Sequence, residues 1–211
     1  MFDIEYRGGT SVVIATKKST LIVDPKVSVV GLKDVATKDA IEVATEARFA
    51  LNGTDARLSI EGPGEYEIGD FSITGISTAR HIDTPDMERI ATVYRVEVAD
   101  VRIAVLGNIS PKLSESQLES LGVIDILVLP VGGGGYTLDA TSAASLVRAI
   151  EPKVVIPTHY ADSSLQYEVP QDTLETFTKE LGASVETVSK YKVKGLASLP
   201  VSLAVVVITR S

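Results

Sequence analysis

The sequence predicts an α/β fold built around sheets, and three observations carry that prediction. Short β-branched runs fill the first half of the chain, while the second half alternates apolar runs with capped amphipathic segments in the order β-α-β-α-β. Of its 211 residues, 45% are hydrophobic, which excludes a disordered chain. Alternating strands and helices call for layers of helix on sheet. One domain over 1–211 is long enough to enclose a sizeable core.

Taken in order, Ser11-Val12-Val13-Ile14 and Leu21-Ile22-Val23 flank Lys17-Lys18-Ser19, a hairpin signal. Ala40 to Thr45, Arg57 to Ile60 and Phe71 to Thr74 read as further strands, and Gly62-Pro63-Gly64 as a tight turn into an alternating one. Ala91 to Val98 and Val101 to Leu106 sit either side of Ala99-Asp100, a second hairpin. Ile124 to Val131, Lys153 to Ile156 and Leu203 to Ile208 are nearly continuous apolar runs, the pattern of strands covered on both faces. Ser114 caps a helix through Leu121, with Gln117 completing a capping box and Gly122 beyond its end. Asp139 caps a second, in which Ala143, Leu146, Val147 and Ile150 recur at helical spacing before Pro152. Pro170 is expected to start a third, with Leu174, Phe177 and Leu181 on one face.

Composition removes several function classes. With 20 basic and 28 acidic residues the chain carries a net charge of −8, so neither nucleic acid nor an anionic membrane is an expected partner. There is no cysteine, which excludes disulfides, thiolate zinc sites, iron–sulfur clusters and a cysteine nucleophile. Two histidines are few for an imidazole-rich metal site. Met1-Phe2-Asp3-Ile4-Glu5 has neither the basic nor the apolar region of a secretory leader, no apolar run is long enough to span a bilayer, and a cytoplasmic protein is expected.

Few segments could carry chemistry. Gly132 to Gly135 follows a buried strand and precedes a helix, but no Lys-Ser/Thr follows, so it does not match a phosphate-binding loop. Leu106-Gly107-Asn108 and Pro157-Thr158-His159-Tyr160 both follow strong strands, at the ends where α/β folds collect their site residues. His159 reads as a ligand, a base or a structural histidine, and His81 lies in the polar Arg80-His81-Ile82-Asp83. No H-x-H or H-x-x-x-H pairs them on one metal, and no G-x-S-x-G marks a serine hydrolase.

Together these segments resemble the metallo-β-lactamase superfamily, in particular its small metal-dependent hydrolases related to ascorbate-6-phosphate lactonase. The matching stretches are Gly62 to Glu67 (G-P-G-E-Y-E), Gly75-Ile76, Leu106-Gly107-Asn108, Leu113 to Gly122, Val123 to Asp139 and Glu151 to Tyr160 (E-P-K-V-V-I-P-T-H-Y), in order and over nearly the whole chain. The resemblance implies a four-layer αββα sandwich, two mixed sheets face to face with helices outside, and a site on one edge.

It also implies a dinuclear metal site whose motif is degenerate here. The positions that match His, His, Asp and His of the family's H-x-H-x-D-H loop hold Glu46, Arg48, Ala50 and Leu51. The family's bridging aspartate is matched by Asn108, a neutral amide; its early Gly-His by Gly8-Gly9; and only His81 and His159 keep imidazoles. A guanidinium at position 48 opposes a divalent cation, since even two unit charges at about 4 Å repel by about 4 kcal/mol at an effective dielectric of about 20. Arg48 is instead expected to pair with Glu46, Asp24 or Asp83.

The expected function is therefore a non-catalytic homologue, a binding or assembly subunit with no cofactor, whose binding residues are Glu46, Arg48, His81, Asn108 and His159. Its partner is an unidentified small molecule or protein, and self-association through Leu196 to Val201 is open. The alternative is a divergent hydrolase of lactones or phosphate esters. It would use one zinc or manganese ion on His81, His159 and Glu46, or no metal and His159 as general base. A purely structural domain would instead fill the former site with Phe49 and Leu51.

Overall fold

The structure is a computed structural model that describes residues 1–81 and 90–211. Its first sheet takes β1 (Phe2–Gly8), β2 (Ser11–Ala15), β3 (Thr20–Val23), β4 (Ile41–Ala44) and β5 (Leu58–Glu61). The second begins with β6 (Gly64–Ile68), β7 (Phe71–Ala79), β8 (Ile90–Val98), β9 (Val101–Val105), β10 (Ile126–Pro130) and β11 (Val154–Thr158). Then β12 (Ser184–Val188) and β14 (Ala204–Ile208) join the second sheet, and β13 (Tyr191–Val193) returns to the first. Three α-helices, α1 (Glu115–Leu121), α2 (Ala140–Ile150) and α3 (Leu174–Leu181), and three short 3-10 turns complete the described elements.

The six-stranded sheet runs β13-β1-β2-β3-β4-β5 and the eight-stranded sheet β12-β14-β11-β10-β9-β8-β7-β6. Alternation along β1 turns Phe2, Ile4 and Tyr6 inward against Val128, Ile156 and Tyr94 of the second sheet. The other faces of β9, β10 and β11 pack on the helices through Leu127, Leu129, Ala143, Val147 and Phe177. These strands are apolar on both faces because both faces are covered.

This is the two-sheet fold that the resemblance implies. All three α-helices lie over the eight-stranded sheet. The outer face of the six-stranded sheet is covered among the described residues by Val35 against Val13, Ile22 and Ala40, next to a 3-10 turn at Val27–Val30. The two helix caps expected at Ser114 and Asp139 form, the first as a full capping box. The Ala99-Asp100 turn forms with both residues at positive φ, which suits the strand twist of a two-residue hairpin.

The expected start of the third helix is corrected. It begins at Leu174 with Thr173 at its N-cap, not at Pro170. Residues 170–172 are held otherwise: Asp172 N donates to Gly132 O at 2.6 Å, and the Gln171 side chain reaches His159. Expected ends also shift, since Phe71 to Thr74 runs on to Ala79 and Lys153 to Ile156 runs on to Thr158.

The glycine motifs serve packing. Gly62 sits at φ 96°, its N–H donates to the Tyr94 hydroxyl at 3.0 Å, and that hydroxyl donates to Ala44 O at 3.0 Å, tying the turn to both sheets. Gly133 N donates to Leu138 O, and Gly133 O accepts from Tyr136 N and Thr137 N, so the glycine run closes into a turn.

Candidate functional site

Strands β7, β9, β10 and β11 run in one direction, so the segments after them meet at one edge. The end of β4 joins them from the other sheet, where Thr92 N donates to Thr45 O at 2.9 Å. Gly107 lets the sheets approach here, because a Cβ on it would stand 2.3 Å from Thr45 Oγ1. Glu46, Arg48, His81, Asn108 and His159 all follow strands that end on this edge.

Charge centres on Glu46, which follows β4 and is buried. Arg48 Nε lies 3.1 Å from Glu46 Oε2, and Arg48 Nη2 donates to Oε1 at 3.3 Å. Arg80 Nε stands 2.5 Å from the same Oε2 and is only 3% exposed. Burial pushes the Glu46 carboxyl up to about 7, with both guanidiniums pulling it back. Burial also works against the Arg48 charge, but Glu46 outweighs it and holds Arg48 above its ordinary value. The Arg48 guanidinium lies over the Phe49 and Tyr136 rings, 4.6 and 4.9 Å from their centroids. Arg80, like Gln171 below, is a residue of this edge that the sequence analysis did not single out. Asp83, the third proposed partner of Arg48, lies outside the described residues.

His159 occupies the neighbouring slot. Its ring stacks on Tyr136 at 5.6 Å and tilts against Tyr167 at 4.6 Å. Nδ1 is 3.1 Å from Gln171 Oε1, while Gln171 Nε2 donates to Val169 O at 3.0 Å. With the amide thus oriented, Nδ1 is the donor and Nε2 is left as an acceptor. Burial pulls the imidazole down to about 4, so the ring is neutral. Asp24 lines the same slot and accepts from Thr45 N at 2.7 Å and Thr45 Oγ1 at 2.8 Å. Burial raises Asp24 to about 6 against those bonds. Asp24 and His159 both hold positive φ, 50° and 48°, a conformation uncommon outside glycine.

Asn108 follows β9 and is buried, and its backbone oxygen accepts from His81 N at 3.1 Å. The His81 and Asn108 segments are therefore neighbours, while His159 and Arg48 both lie against the Tyr136 ring. A cleft of about 340 Å³ opens beside Glu46, Arg48, Arg80 and Thr92, and a slot of about 20 Å³ beside Asp24, Tyr136 and His159. Phe49 is buried, but Leu51 is not, so the edge is not filled as an ordinary core.

Residues 3–159 match the model of the β-lactamase superfamily domain, well over half of the chain. The chain belongs to the β-lactamase superfamily. Its similarity to the UPF0173 protein PF0020 of Pyrococcus furiosus is 30% identity over 124 residues, 58% of this chain and 51% of that protein. The match thus spans about half the length of the curated relative. Among solved structures, a Thermotoga maritima member of the metallo-β-lactamase superfamily, described there as a proposed zinc-dependent hydrolase, superposes with a TM-score of 0.78 at 21% identity, over 99% of this chain and 100% of that one. Igni18, a metallo hydrolase of Ignicoccus hospitalis, gives 0.65 at 15% identity, covering 92% and 99%. At such identities these two carry the fold alone.

For this superfamily member the donor set is the question. A divalent centre needs several converging carboxylates or imidazoles. Among the described residues no three His, Asp or Glu side chains converge in that way. Glu46 is engaged by two guanidiniums, and Asn108 offers no charge. The described residues do not fit the dinuclear centre that the resemblance implies.

Proposed function

We propose that this superfamily member works by binding and not by metal-dependent hydrolysis, as a binding or assembly subunit. The observation that carries the reading is the closure of Arg48 and Arg80 on the buried Glu46 carboxylate. A metal ion at this carboxylate would face two permanent cations. The open cleft beside these groups supports binding over a closed structural role.

The metal-free hydrolase is the second reading, since His159 has an acceptor nitrogen and an orienting partner in Gln171. Its depressed pKa of about 4 argues against it, because a general base works best with a pKa near the operating pH. Elemental analysis of untagged protein, followed by zinc and manganese titration by calorimetry, tests the proposal. The expected result is no stoichiometric metal and no saturable binding. One tightly bound ion per chain, lost in His159→Ala, would overturn it and justify screening lactones and phosphate esters.

A further inference from the structure

Arg48 presents more donors than Glu46 takes up. A guanidinium carries its N–H groups in one plane, as a side fork on Nε and one terminal nitrogen and an end fork on the two terminal nitrogens. Glu46 stands on the side fork of Arg48, with Oε2 3.1 Å from Nε and Oε1 accepting from Nη2 at 3.3 Å. On the end fork stands Glu168, whose Oε1 lies 3.8 Å from Nη1. That distance is beyond a hydrogen bond, and Glu168 is exposed on the segment after β11. Its hold on Arg48 is weak. Glu46 is also shared, because Arg80 Nε meets the same Oε2.

The guanidinium is fixed before any ligand arrives. It lies over the Phe49 and Tyr136 rings, and the Tyr136 hydroxyl accepts from it. Arg48 and Arg80 both line the cleft of about 340 Å³, whose wall includes the apolar Ala44, Ala47 and Ile90. Ile90 is 57% exposed there, an apolar side chain with room against it. The neighbouring slot beside Tyr136 and Glu168, about 20 Å³, admits little more than a water. Of the carboxylates that would oppose an anion, Glu61 in the cleft wall and Glu168 are both exposed, where solvent screens them.

We infer that the cleft takes a small organic anion, a carboxylate on an apolar body, whose charged end replaces Glu168 on the end fork of Arg48. The inference rests on the binding reading above and names the class of ligand. A carboxylate matches the fork with two parallel N–H···O bonds, and such charge-assisted pairs are stronger than neutral ones. The apolar body then lies in the cleft against Ala47 and Ile90, removing their surface from water. Inorganic phosphate has the charge without the body. Glu168 acts as the resident stand-in for the ligand's carboxylate, close enough to mark the position and too loosely held to keep it.

Calorimetric titration of the full chain with butyrate and benzoate, beside butyramide, inorganic phosphate and zinc, tests it. The expected result is saturable binding of butyrate or benzoate, with butyramide weaker than butyrate by about tenfold or more. Arg48→Gln should weaken the carboxylate by a similar factor. Glu168→Gln should tighten it by about twofold to fivefold at an unchanged melting temperature, since it removes an exposed competitor. If Arg48→Gln does not fold, Glu168→Gln carries the comparison, because misfolding does not raise affinity. No saturable heat from either carboxylate, butyramide binding as well as butyrate, saturation by phosphate only, or no gain in Glu168→Gln would overturn the inference and leave the binding reading standing. Stoichiometric zinc binding lost in His159→Ala would overturn both.

Discussion

Arg80 Nε lies 2.5 Å from Glu46 Oε2, joining the end of β7 to the end of β4 across the two sheets. Removing one partner of a buried ion pair leaves the other charge uncompensated, at a cost of about 3–5 kcal/mol. Arg80→Met is therefore expected to lower stability by about 3 kcal/mol. Arg48→Ala, at a more exposed guanidinium, should cost about 1 kcal/mol after solvent screening. Urea unfolding of both variants checks the order. Restoration of most of the Arg80→Met loss by adding Glu46→Leu would show that the penalty is the stranded carboxylate.

Much of the fold was legible because burial on both sides writes itself into sequence. Ile126 to Pro130 and Val154 to Thr158 are apolar throughout, since one face meets the other sheet and the other meets α2 and α3. Strand β12 was not legible: Ser184 to Glu186 are exposed, so its residues carry no inward pattern, only backbone pairing with β14. The third helix misled because Pro170 is a good first residue, while Gln171 and Asp172 are drawn into contacts with His159 and Gly132.

The site divides in the same way. Glu46 and Arg48 stand two residues apart, so their pairing could be expected locally. Asp24, Arg80 and Gln171 reach the site only through the tertiary fold. Arg80 read as part of a polar loop because nothing local shows that β7 extends to Ala79.

His159 should stay neutral at every pH above about 5. Burial depresses its pKa to about 4 from 6.5, so its contribution to stability is complete above pH 6.5 and is lost as pH falls toward 4. Its imidazole carbon resonances are expected to be flat between pH 5 and 8 in NMR titration. A midpoint near 6.5 would mean that the ring is hydrated and not stacked between tyrosines.

Asp24 titrates with the opposite sign. Its pKa rises to about 6 from 3.8, so the fold binds the protonated form more strongly than the unfolded chain does. The stabilisation this gives is present below about pH 4 and lost as pH rises through 6, with a span of up to about 3 kcal/mol. Asp24→Asn cannot titrate. The stability difference, parent minus variant, should therefore fall between pH 4 and 7, and a flat difference would place an ordinary carboxylate at that position.

Gly132 tests whether the glycine run serves the histidine. A Cβ there would stand 2.2 Å from the His159 carbonyl and 2.5 Å from Gln171 Oε1, closer than real Cβ contacts come. Those atoms are backbone and a side chain already bonded to the His159 ring, so neither yields easily. Gly132→Ala is expected to cost about 1–3 kcal/mol by overpacking. It should also raise the His159 pKa, because displacing the segment around Gln171 lets water reach the imidazole. Gly135→Ala is the control: its φ of 74° brings strain, but nothing lies within 4 Å of its Cβ. Destabilisation in both with a shifted His159 titration only in Gly132→Ala would show that the first glycine is kept for contact with the site and the last for its backbone conformation.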